Sequence, residues 1–435
     1  MAHVSECVHS GLDLFESPGL QTSITHGEYV EYRPLAALED NTPIEFAVTG
    51  SSQYLDLASS FIHVKARVVK PDGGALDAAT DVAPMNLTLH SMFSDVSVYL
   101  NNVQLSTPSG CYPYQAYIQT LLSYSPDTKK SQLEAAMYYQ DTSGHMDEVT
   151  DGHNAGMAKR RTRAARSAVM DMMGRLHCDL FHQGKYLLNH LDLRLKLNRS
   201  KDAFVLSGAV VGGPGGAIPN YKLQLMDCSL HVRRVEVSPP VNLAHARTLE
   251  RSNVIYPMTK TVMRVYTAAQ GSFSLTVDNM FLDKVPNKIV MGFVRADAFN
   301  GSYALNPFNF LHINVNFIAL HHEGRQIPTK GLRPDYENNQ YTRAFMSLYT
   351  GAGNAWNDIT CGVTLADYKQ GYTLYFFDLT PSLTQSHATA ELQRPGPLRL
   401  ECHFSEALAR SMNLVVYAEL DSTVQISNTR EVLIL

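Results

Sequence analysis

The sequence is poor in charge and in long apolar runs, and both shortages narrow the classes of protein it can belong to. Charged residues make up 18% of the 435 residues and apolar residues 45%, a balance typical of packed globular chains. The formal net charge of −5 gives no general attraction to nucleic acid or anionic membranes, so such contacts would need a local patch. No stretch reaches the roughly 18 consecutive apolar residues of a membrane-spanning helix, so none is predicted.

Cysteine is scarce and scattered. The six cysteines show no Cys-x-x-Cys pair and no short Cys/His spacing of the kind zinc sites use. We therefore predict reduced, mostly buried thiols. The N-terminus has no basic start followed by an apolar run, so no secretory signal is predicted and synthesis in the cytosol is expected. The cysteines are Cys7, Cys111, Cys178, Cys228, Cys361 and Cys402.

Signatures of catalysis are missing as well. The glycine-rich stretch Gly208–Gly216 lacks the Lys-Ser/Thr pair of a phosphate-binding loop and no helical pattern follows it, so a flexible loop is predicted. No Gly-x-Ser-x-Gly motif, Cys/His pair or paired carboxylates stand out. We therefore predict that the protein is not an enzyme and has no catalytic residue, cofactor or small-molecule substrate.

Alternation of apolar and polar residues is the dominant pattern, and it indicates strands with one buried face. Turn signals such as Asn101-Asn102 and Arg394–Pro397 separate these segments. Four short stretches have a helical pattern: Tyr114–Tyr124, Lys129–Tyr139, Ala164–Met173 and Asn339–Tyr349. The alternating segments include Ile62–Val68, Val96–Leu100, Leu191–Leu197, Leu311–Phe317 and Leu398–Cys402. Many short antiparallel strands with few helices predict an all-β sandwich or barrel.

The second half of the chain echoes the first. A strand, a loop and the helix containing Ala116-Tyr117 are matched 228 residues later by a strand, a loop and the helix containing Ala344-Phe345. Leu193–Leu197 is matched 205 residues later by Leu398–Cys402. An apolar strand is predicted after each, at Phe204–Leu206 and at Leu414–Tyr417. The shared order favours an internal duplication over chance.

Two halves of about eight strands each predict two tandem eight-stranded jelly rolls, with a few short helices in loops. The boundary is expected at Val237–Val241, because paired prolines stop a strand and favour an extended connector. The predicted domains are an N-terminal arm (residues 1–27), a first jelly roll (28–237) and a second jelly roll (238–435). The arm could order only on assembly or could be a frayed terminus.

Three stretches in this order and spacing carry a resemblance to a known family. They are Ser52–Leu57 with Phe61–Lys65, Val96–Leu105 with Tyr112–Tyr117, and Asp179–Gln183 leading into Leu193–Ser200. Over nearly its whole length the chain resembles the hexon-like double jelly-roll major capsid proteins of tailless double-stranded DNA viruses. The resemblance is specifically to the Polinton and adintovirus group, related to adenovirus hexon and virophage capsids.

The resemblance implies a structural protein whose two jelly rolls stand upright in an icosahedral virion shell, with long loops forming an outer tower. Three chains would form a pseudo-hexameric homotrimeric capsomer. Its implied partners are copies of itself, neighbouring capsomers, penton and minor capsid proteins, and either packaged double-stranded DNA or an inner membrane. The protein would be made in the host cytoplasm, with the cytoplasm and the nucleus both open as sites of assembly.

Five basic residues within eight form the strongest local charge signal: Lys159, Arg160, Arg161, Arg163 and Arg166. Acidic Asp147, Glu148 and Asp151 precede them. The cluster could be a nuclear-import signal or a DNA-facing patch. Equally, it could be a solvated loop and helix face or an ion-paired contact between subunits.

His321-His322-Glu323, with His312 upstream, raises the question of a metal site. Neighbouring histidines on a strand point to opposite faces and cannot reach one ion without a turn, so no metal site is predicted. The apolar C-terminus Glu431–Leu435 could dock on a neighbour or complete a core strand, and the strand is favoured. Aromatic residues, 22 Tyr and 17 Phe against one Trp, could supply contact faces, although core packing accounts for most.

A second class of function remains open. A carbohydrate-binding jelly-roll protein, such as a viral spike or fibre, would share the fold class. It should show exposed aromatics and carboxylates clustered at one barrel mouth. A minor vertex capsid protein usually needs a single jelly roll, so the length and the internal echo argue against it.

Overall fold

Strands dominate the chain, in agreement with the alternating pattern. The computed structural model describes residues 20–39, 42–78, 80–150, 152–209, 218–356, 360–383 and 394–435. The strands before residue 238 are β1 Ile24–Tyr32, β2 Ile44–Val48, β3 Tyr54–Val69, β4 Val82–Pro84, β5 Phe93–Leu100, β6 Val103–Gln104, β7 Met170–Gly174, β8 Leu193–Arg199, β9 Leu206–Gly208 and β10 Lys222–Val237. Those after it are β11 Val254–Ala268, β12 Ser274–Phe281, β13 Lys288–Arg295, β14 Val315–His322, β15 Arg325–Leu332, β16 Tyr375–Asp378, β17 Leu398–Phe404, β18 Met412–Ile426 and β19 Val432–Ile434.

Short helices interrupt the strands. The α-helices are α1 Thr88–Ser91, α2 Tyr112–Ser123, α3 Pro126–Lys129, α4 Ala155–Ala164, α5 Asp202–Val205, α6 Pro239–Leu249, α7 Ala296–Asn300, α8 Thr342–Gly351 and α9 Leu365–Lys369. Short 3-10 helices span Gln132–Ala136, Ala165–Ser167 and Asp179–His182. None of the helices in the described ranges is long and apolar enough to cross a membrane.

The two halves share one strand topology. In the first half, four-stranded sheets have the orders β1-β10-β3-β7 and β2-β8-β5-β6, and β4 pairs with β9 at the side. In the second half the orders are β11-β18-β13-β16 and β12-β17-β14-β15, with β19 added on β18. Apart from β4, β9 and β19, each strand of one half has its counterpart at the same place in the other. The predicted double jelly roll is confirmed.

Alternating burial explains why these segments form strands. Leu193, Leu195 and Leu197 of β8 are at most 1% exposed, while Arg194 between them faces solvent. Such a strand buries one face against the opposite sheet and leaves the other in water. The hairpin between β5 and β6 turns at Asn101-Asn102, and both residues have a positive φ. Asparagine tolerates that conformation, which type I′ hairpin turns require at both central positions.

Two predicted helices are confirmed and two are wrong. α2 and α8 match the predicted stretches and occupy equivalent places, each between the fifth and sixth strand of its jelly roll. Residues 129–139 instead form the end of α3 and a 3-10 turn, because Met137 adopts a left-handed conformation with φ 60°. Residues 164–173 run from the end of α4 into β7, whose successive residues alternate between buried and exposed.

The second echo holds only in part. β8 and β17 occupy equivalent positions, as predicted. However, residues 204–206 end α5 and begin the side strand β9, so they are not the counterpart of β18. That counterpart is β10, and the segment 200–221 precedes it as an insertion. The predicted strand from Leu311 begins at Val315, after two left-handed residues.

The fold has two distinct ends. Because consecutive jelly-roll strands run in alternate directions, the connections after the first, third, fifth and seventh strand of a jelly roll meet at one end. We call this the loop end; its longest segments are 70–92, 105–169 and 200–221 in the first half, and 296–314 and 333–374 in the second. The opposite end, which we call the terminal end, receives the start of β1 and the end of β18. The loop end holds eight of the nine α-helices in the described part of the chain.

The connector between the halves lies at the terminal end. β10 stops at Val237, and the prolines begin the helix α6 instead of the expected extended segment. Proline suits the first turn of a helix, where a missing N–H costs nothing. The N–H of Ser238 donates to the carbonyl of Ser23 over 2.9 Å, which places the start of the first jelly roll beside the start of α6. Residues 1–19, most of the predicted arm, lie outside the described residues, and β1 begins at Ile24.

Candidate functional site

The basic cluster is divided between the inside and the outside of the protein. Helix α4 carries four of its five members at the loop end, and Asn154 caps the helix by accepting from the N–H of Met157. Arg160 lies on the buried face of α4 and is 0% exposed. Arg160 therefore cannot contact DNA or an import receptor in the folded chain.

Arg160 holds three separate segments together. Its Nε donates to the carbonyl of Pro84 over 2.8 Å, and its Nη1 donates to the carbonyl of Tyr139 over 2.6 Å. Its Nη2 donates to Oδ1 of Asp141 over 2.6 Å, in an ion pair with no exposure on either side chain. A guanidinium can be buried in this way only when its donors are satisfied. Arg160 is therefore structural.

The other four basic residues differ in their exposure to solvent. Arg161 donates from Nη1 to Asp81 over 2.8 Å and to the carbonyl of Val149 over 3.0 Å. Lys159, Arg163 and Arg166 are exposed. The accessible patch consists of these three residues, with Arg161 half-buried at its edge.

Asp141 also ties the two jelly rolls together. Its Oδ2 accepts from Nδ2 of Asn306 over 3.1 Å, and its carbonyl accepts from the hydroxyl of Tyr372 over 2.5 Å. Both partners belong to the second jelly roll. Nearby, the buried Lys129 donates from Nζ to the carbonyl of Cys361 over 2.6 Å, and burial lowers the Lys129 pKa to about 8. The loop ends of the two halves therefore form one hydrogen-bonded junction.

Aromatic side chains fill the core of this junction. Tyr117 of α2 stacks on Phe308 with ring centroids 4.4 Å apart and ring planes 7° apart. Tyr114, on the same helix, stacks on Phe299 at 5.4 Å. Tyr114, Tyr117 and Phe308 are each at most 1% exposed. These aromatics pack the interior, as the core interpretation predicted.

Two buried histidines lie beside the junction. The rings of His90 and His177 meet edge to face at 4.6 Å. Burial lowers the pKa of His90 to about 3 and holds that of His177 well below its usual value. Gln119 connects His177 to the second half: its Oε1 lies 2.8 Å from Nδ1 of His177 and its Nε2 donates to the hydroxyl of Tyr417 over 3.2 Å. Both histidines are therefore neutral when the protein is folded at neutral pH.

The histidines for which the sequence raised and rejected a metal site do not converge on one point. His321 lies 3.1 Å from Glu401, and Nε2 of His322 lies 3.1 Å from the carbonyl of Pro395. His312 stacks on Tyr336 at 4.4 Å. The opposite orientation of His321 and His322 is the one their positions on a strand predict.

A different cluster was missed. His145, Glu148 and His153 lie in the loop before α4, and their ligand atoms are all within 4.8 Å of one another. Within the described ranges this is the one group of three or more His, Cys, Asp or Glu residues that could hold a metal ion. The spacing His-x-x-Glu-x4-His gives little signal in the sequence, because irregular backbone brings the three together.

The remaining predictions concern loops and cysteines. Residues 210–217 of the glycine-rich stretch lie outside the described residues, and Gly208 ends β9. Cys111, Cys178, Cys228, Cys361 and Cys402 are free and buried, as predicted, while Cys7 lies outside the described residues. The C-terminal segment forms β19 on β18, as favoured. A cavity of about 420 Å³ opens at the terminal end between α6 and Arg430.

The sequence was compared with family models and with known proteins. No family model matches the chain. An uncharacterized protein of Caenorhabditis elegans is 25% identical over 416 residues, which cover 93% of this chain and 96% of that protein.

Three solved structures cover nearly the whole chain. A chain of the Sputnik virophage is 14% identical, with a TM-score of 0.66, over 100% of this chain and 93% of its own. The mavirus major capsid protein is 10% identical, with a TM-score of 0.60 and coverage of 100% and 96%. The Faustovirus major capsid protein is 10% identical, with a TM-score of 0.59 and coverage of 94% and 92%. At these identities the likeness establishes the fold: the chain has the double jelly roll of virophage and large DNA virus major capsid proteins.

Proposed function

We propose that the chain is a major capsid protein whose homotrimers form pseudo-hexameric capsomers of an icosahedral virion shell. The observation that carries the proposal is the repeated jelly roll, with the same strand order in both halves and one hydrogen-bonded junction between them. Three such chains around one axis would present six upright barrels, and a closed ring of three needs only one kind of interface. A role in building the shell calls for no catalytic site.

The domain division supports this arrangement. Every β-ladder among the described strands stays within one half, and α6 is the connector between them. We propose domains at residues 28–237 and 238–435, preceded by an arm. Hydrogen bonds join the domains at the loop end, between Asp141 and Asn306, and also at the terminal end, where Nε of Arg430 donates to the carbonyl of Asn189. The two barrels would therefore stand side by side as a rigid pair.

The orientation in the shell follows from the two ends. We propose that the loop end faces outward, where long insertions can vary without disturbing lateral packing. The terminal end, with the start of β1 and helix α6, would face the interior. Lys159, Arg163 and Arg166 then lie on the outer side, which argues against contact with packaged DNA. A nuclear-import signal, a solvated helix face and a contact between subunits stay open for them.

The finer assignment is to the Polinton and adintovirus group. It is supported by the stretches that suggested the resemblance and by a relative of similar length in an animal. The proposed partners are neighbouring capsomers and penton or minor capsid proteins, with the virion as the location. A carbohydrate-binding spike remains the alternative, but no observation among the described residues favours it over the shell.

Negative-stain electron microscopy of the purified protein tests the proposal. Particles with a hexagonal outline and a three-fold axis are expected. Two-lobed single chains that do not associate at high concentration would reject the capsomer and favour a spike or a carbohydrate-binding protein. Glycan-array binding by such single chains would identify the second class.

A further inference from the structure

Three side chains at the loop end bring metal-type ligand atoms close together. Nδ1 of His145 lies 2.8 Å from Oε1 of Glu148, and Nδ1 of His153 lies 3.2 Å from Oε2 of the same carboxylate. The two imidazole rings are 5.2 Å apart. We propose that His145, Glu148 and His153 bind a divalent transition-metal ion, for which zinc is the best match. The proposal is independent of the role in the shell.

The distances suit one ion. In a tetrahedral zinc site the metal lies about 2.0–2.2 Å from nitrogen and oxygen ligands, so neighbouring ligand atoms are about 3.3 Å apart. The two His–Glu distances, 2.8 and 3.2 Å, lie just below that value, and all three ligand atoms lie within 4.8 Å of one another. Small side-chain rotations would bring them to the metal. The ion would take the place of the protons that the histidines now share with Glu148.

In the described residues around the ligands, hydrogen bonds and buried side chains hold the backbone. Oδ1 of Asn154 accepts from the N–H of Thr142 over 3.1 Å, which closes the loop, and its Nδ2 donates to the carbonyl of Met146 over 3.3 Å. Met146 and Val149, between the ligands, are 2% and 8% exposed. Ligands on a backbone held by buried side chains lose little conformational entropy on binding.

The second jelly roll holds the same loop. Oδ1 of Asp147 accepts from the N–H of Asn306 over 2.6 Å, and Oδ2 accepts from Nδ2 of Asn309 over 3.2 Å. The N–H of Gly144 donates to the carbonyl of Gln370 over 2.9 Å. A metal ion would therefore stiffen a segment that contributes to the junction between the jelly rolls, and its binding should raise the thermal stability of the whole chain.

The donor types select the kind of metal. Two imidazoles with one carboxylate suit zinc and its transition-metal neighbours, whereas calcium and magnesium prefer oxygen ligands alone. His153 has a side chain that is 64% exposed, so water can complete the coordination. With three protein ligands and an open side, we expect moderate affinity and no requirement for the metal in folding.

The test is calorimetric titration of zinc chloride into the full-length protein after treatment with a chelator. We expect one ion per chain, an increase in melting temperature with zinc, and no competition from magnesium or calcium. His145→Ala with His153→Ala should weaken binding at least tenfold, and Glu148→Gln should weaken it without removing the histidines.

A second His/Glu/His group provides the matched control. Glu401 lies 3.1 Å from His321 and 2.9 Å from His403, but the three residues are not among the groups whose ligand atoms converge within 4.8 Å. His403→Ala should therefore bind zinc like the parent chain. Equal affinity in the parent and in the His145/His153 variant would overturn the proposal, as would the absence of saturable binding in the parent. If the variant fails to fold, the visible absorption of cobalt on the parent decides: a spectrum of free aqueous cobalt rejects the site.

Discussion

Arg160 and Asp141 form an ion pair of 2.6 Å inside the protein, and neither side chain is exposed. Asp141 uses its second oxygen to accept from Asn306 of the other jelly roll. The same carboxylate therefore neutralises the charge of Arg160 on α4 and contacts the second jelly roll. This pair links the most basic segment of the sequence to the hydrogen-bonded junction between the two jelly rolls.

Replacing Arg160 with Met should destabilise the protein by about 3–5 kcal/mol, because the change leaves a buried carboxylate without its cation. Chemical unfolding measures the loss. Arg163→Ala, on the exposed side of the same helix, is the control and should change stability by less than about 0.5 kcal/mol. Adding Asp141→Asn to Arg160→Met should recover part of the loss. Equal stability of the Arg160 and Arg163 variants would show that the pair is not buried as described.

Acid should weaken the fold through His90 and His177. The ordinary histidine pKa is 6.5, and burial lowers that of His90 to about 3 and that of His177 well below 6.5. The two histidines therefore take up protons in the unfolded chain at a higher pH than in the folded chain. As a result, stability falls as the pH drops through 6.5. Asp179 opposes this, since burial raises its pKa from 3.8 to about 6 and the folded chain takes up one proton.

Each proton of difference between the folded and the unfolded chain changes the free energy of unfolding by about 1.4 kcal/mol per pH unit. Together, these three groups should lower the free energy of unfolding by about 2–3 kcal/mol between pH 7 and pH 5. Thermal unfolding across this range measures it. His90→Asn should make the pH dependence shallower by about one proton. A pH dependence parallel to that of the parent chain would contradict the assignment to the buried ring.

Gly156 permits the close approach of α4 to the preceding loop. A Cβ atom there would lie 2.4 Å from the carbonyl oxygen of Gln140 and 2.7 Å from that of Tyr139. Gly156→Ala should therefore destabilise the protein by about 1–3 kcal/mol, although alanine is the better helix former. Gly184→Ala, where a Cβ meets no atom within 4 Å, is the control. A neutral or stabilising Gly156→Ala would mean that the helix sits farther from the loop.

The single tryptophan reports on the loop end. Trp356 follows α8 and is 91% exposed. If subunits pack side by side with the loop end open, its fluorescence should be that of a solvated indole and fully accessible to acrylamide in the assembled protein. A blue-shifted, protected emission would show that another chain covers this part of the loop end.

The alternating strands and the internal echo were visible in the sequence because they depend on local periodicity. β8 and β17 are equivalent, and the hairpin at Asn101-Asn102 formed where its turn residues stand. The helix predicted at 164–173 was wrong because the alternating residues of β7 follow a basic helix without a clear break in the sequence.

Long-range partners could not be predicted. Arginine usually lies on the surface, so the burial of Arg160 could not be predicted. It depends on Asp141, 19 residues earlier in the chain, and Asp141 in turn contacts Asn306, 165 residues later. The cluster of His145, Glu148 and His153 depends in the same way on an irregular loop whose shape is set by Asn154 and the second jelly roll. Only the folded chain shows which charged residues are accessible.

The mass of the purified protein in solution, determined by light scattering, tests the central claim most directly. A stable species of about three times 48.3 kDa is predicted, with interfaces of more than about 2,000 Å² that resist dilution. A monodisperse species of 48.3 kDa that stays monomeric when concentrated would contradict the capsomer.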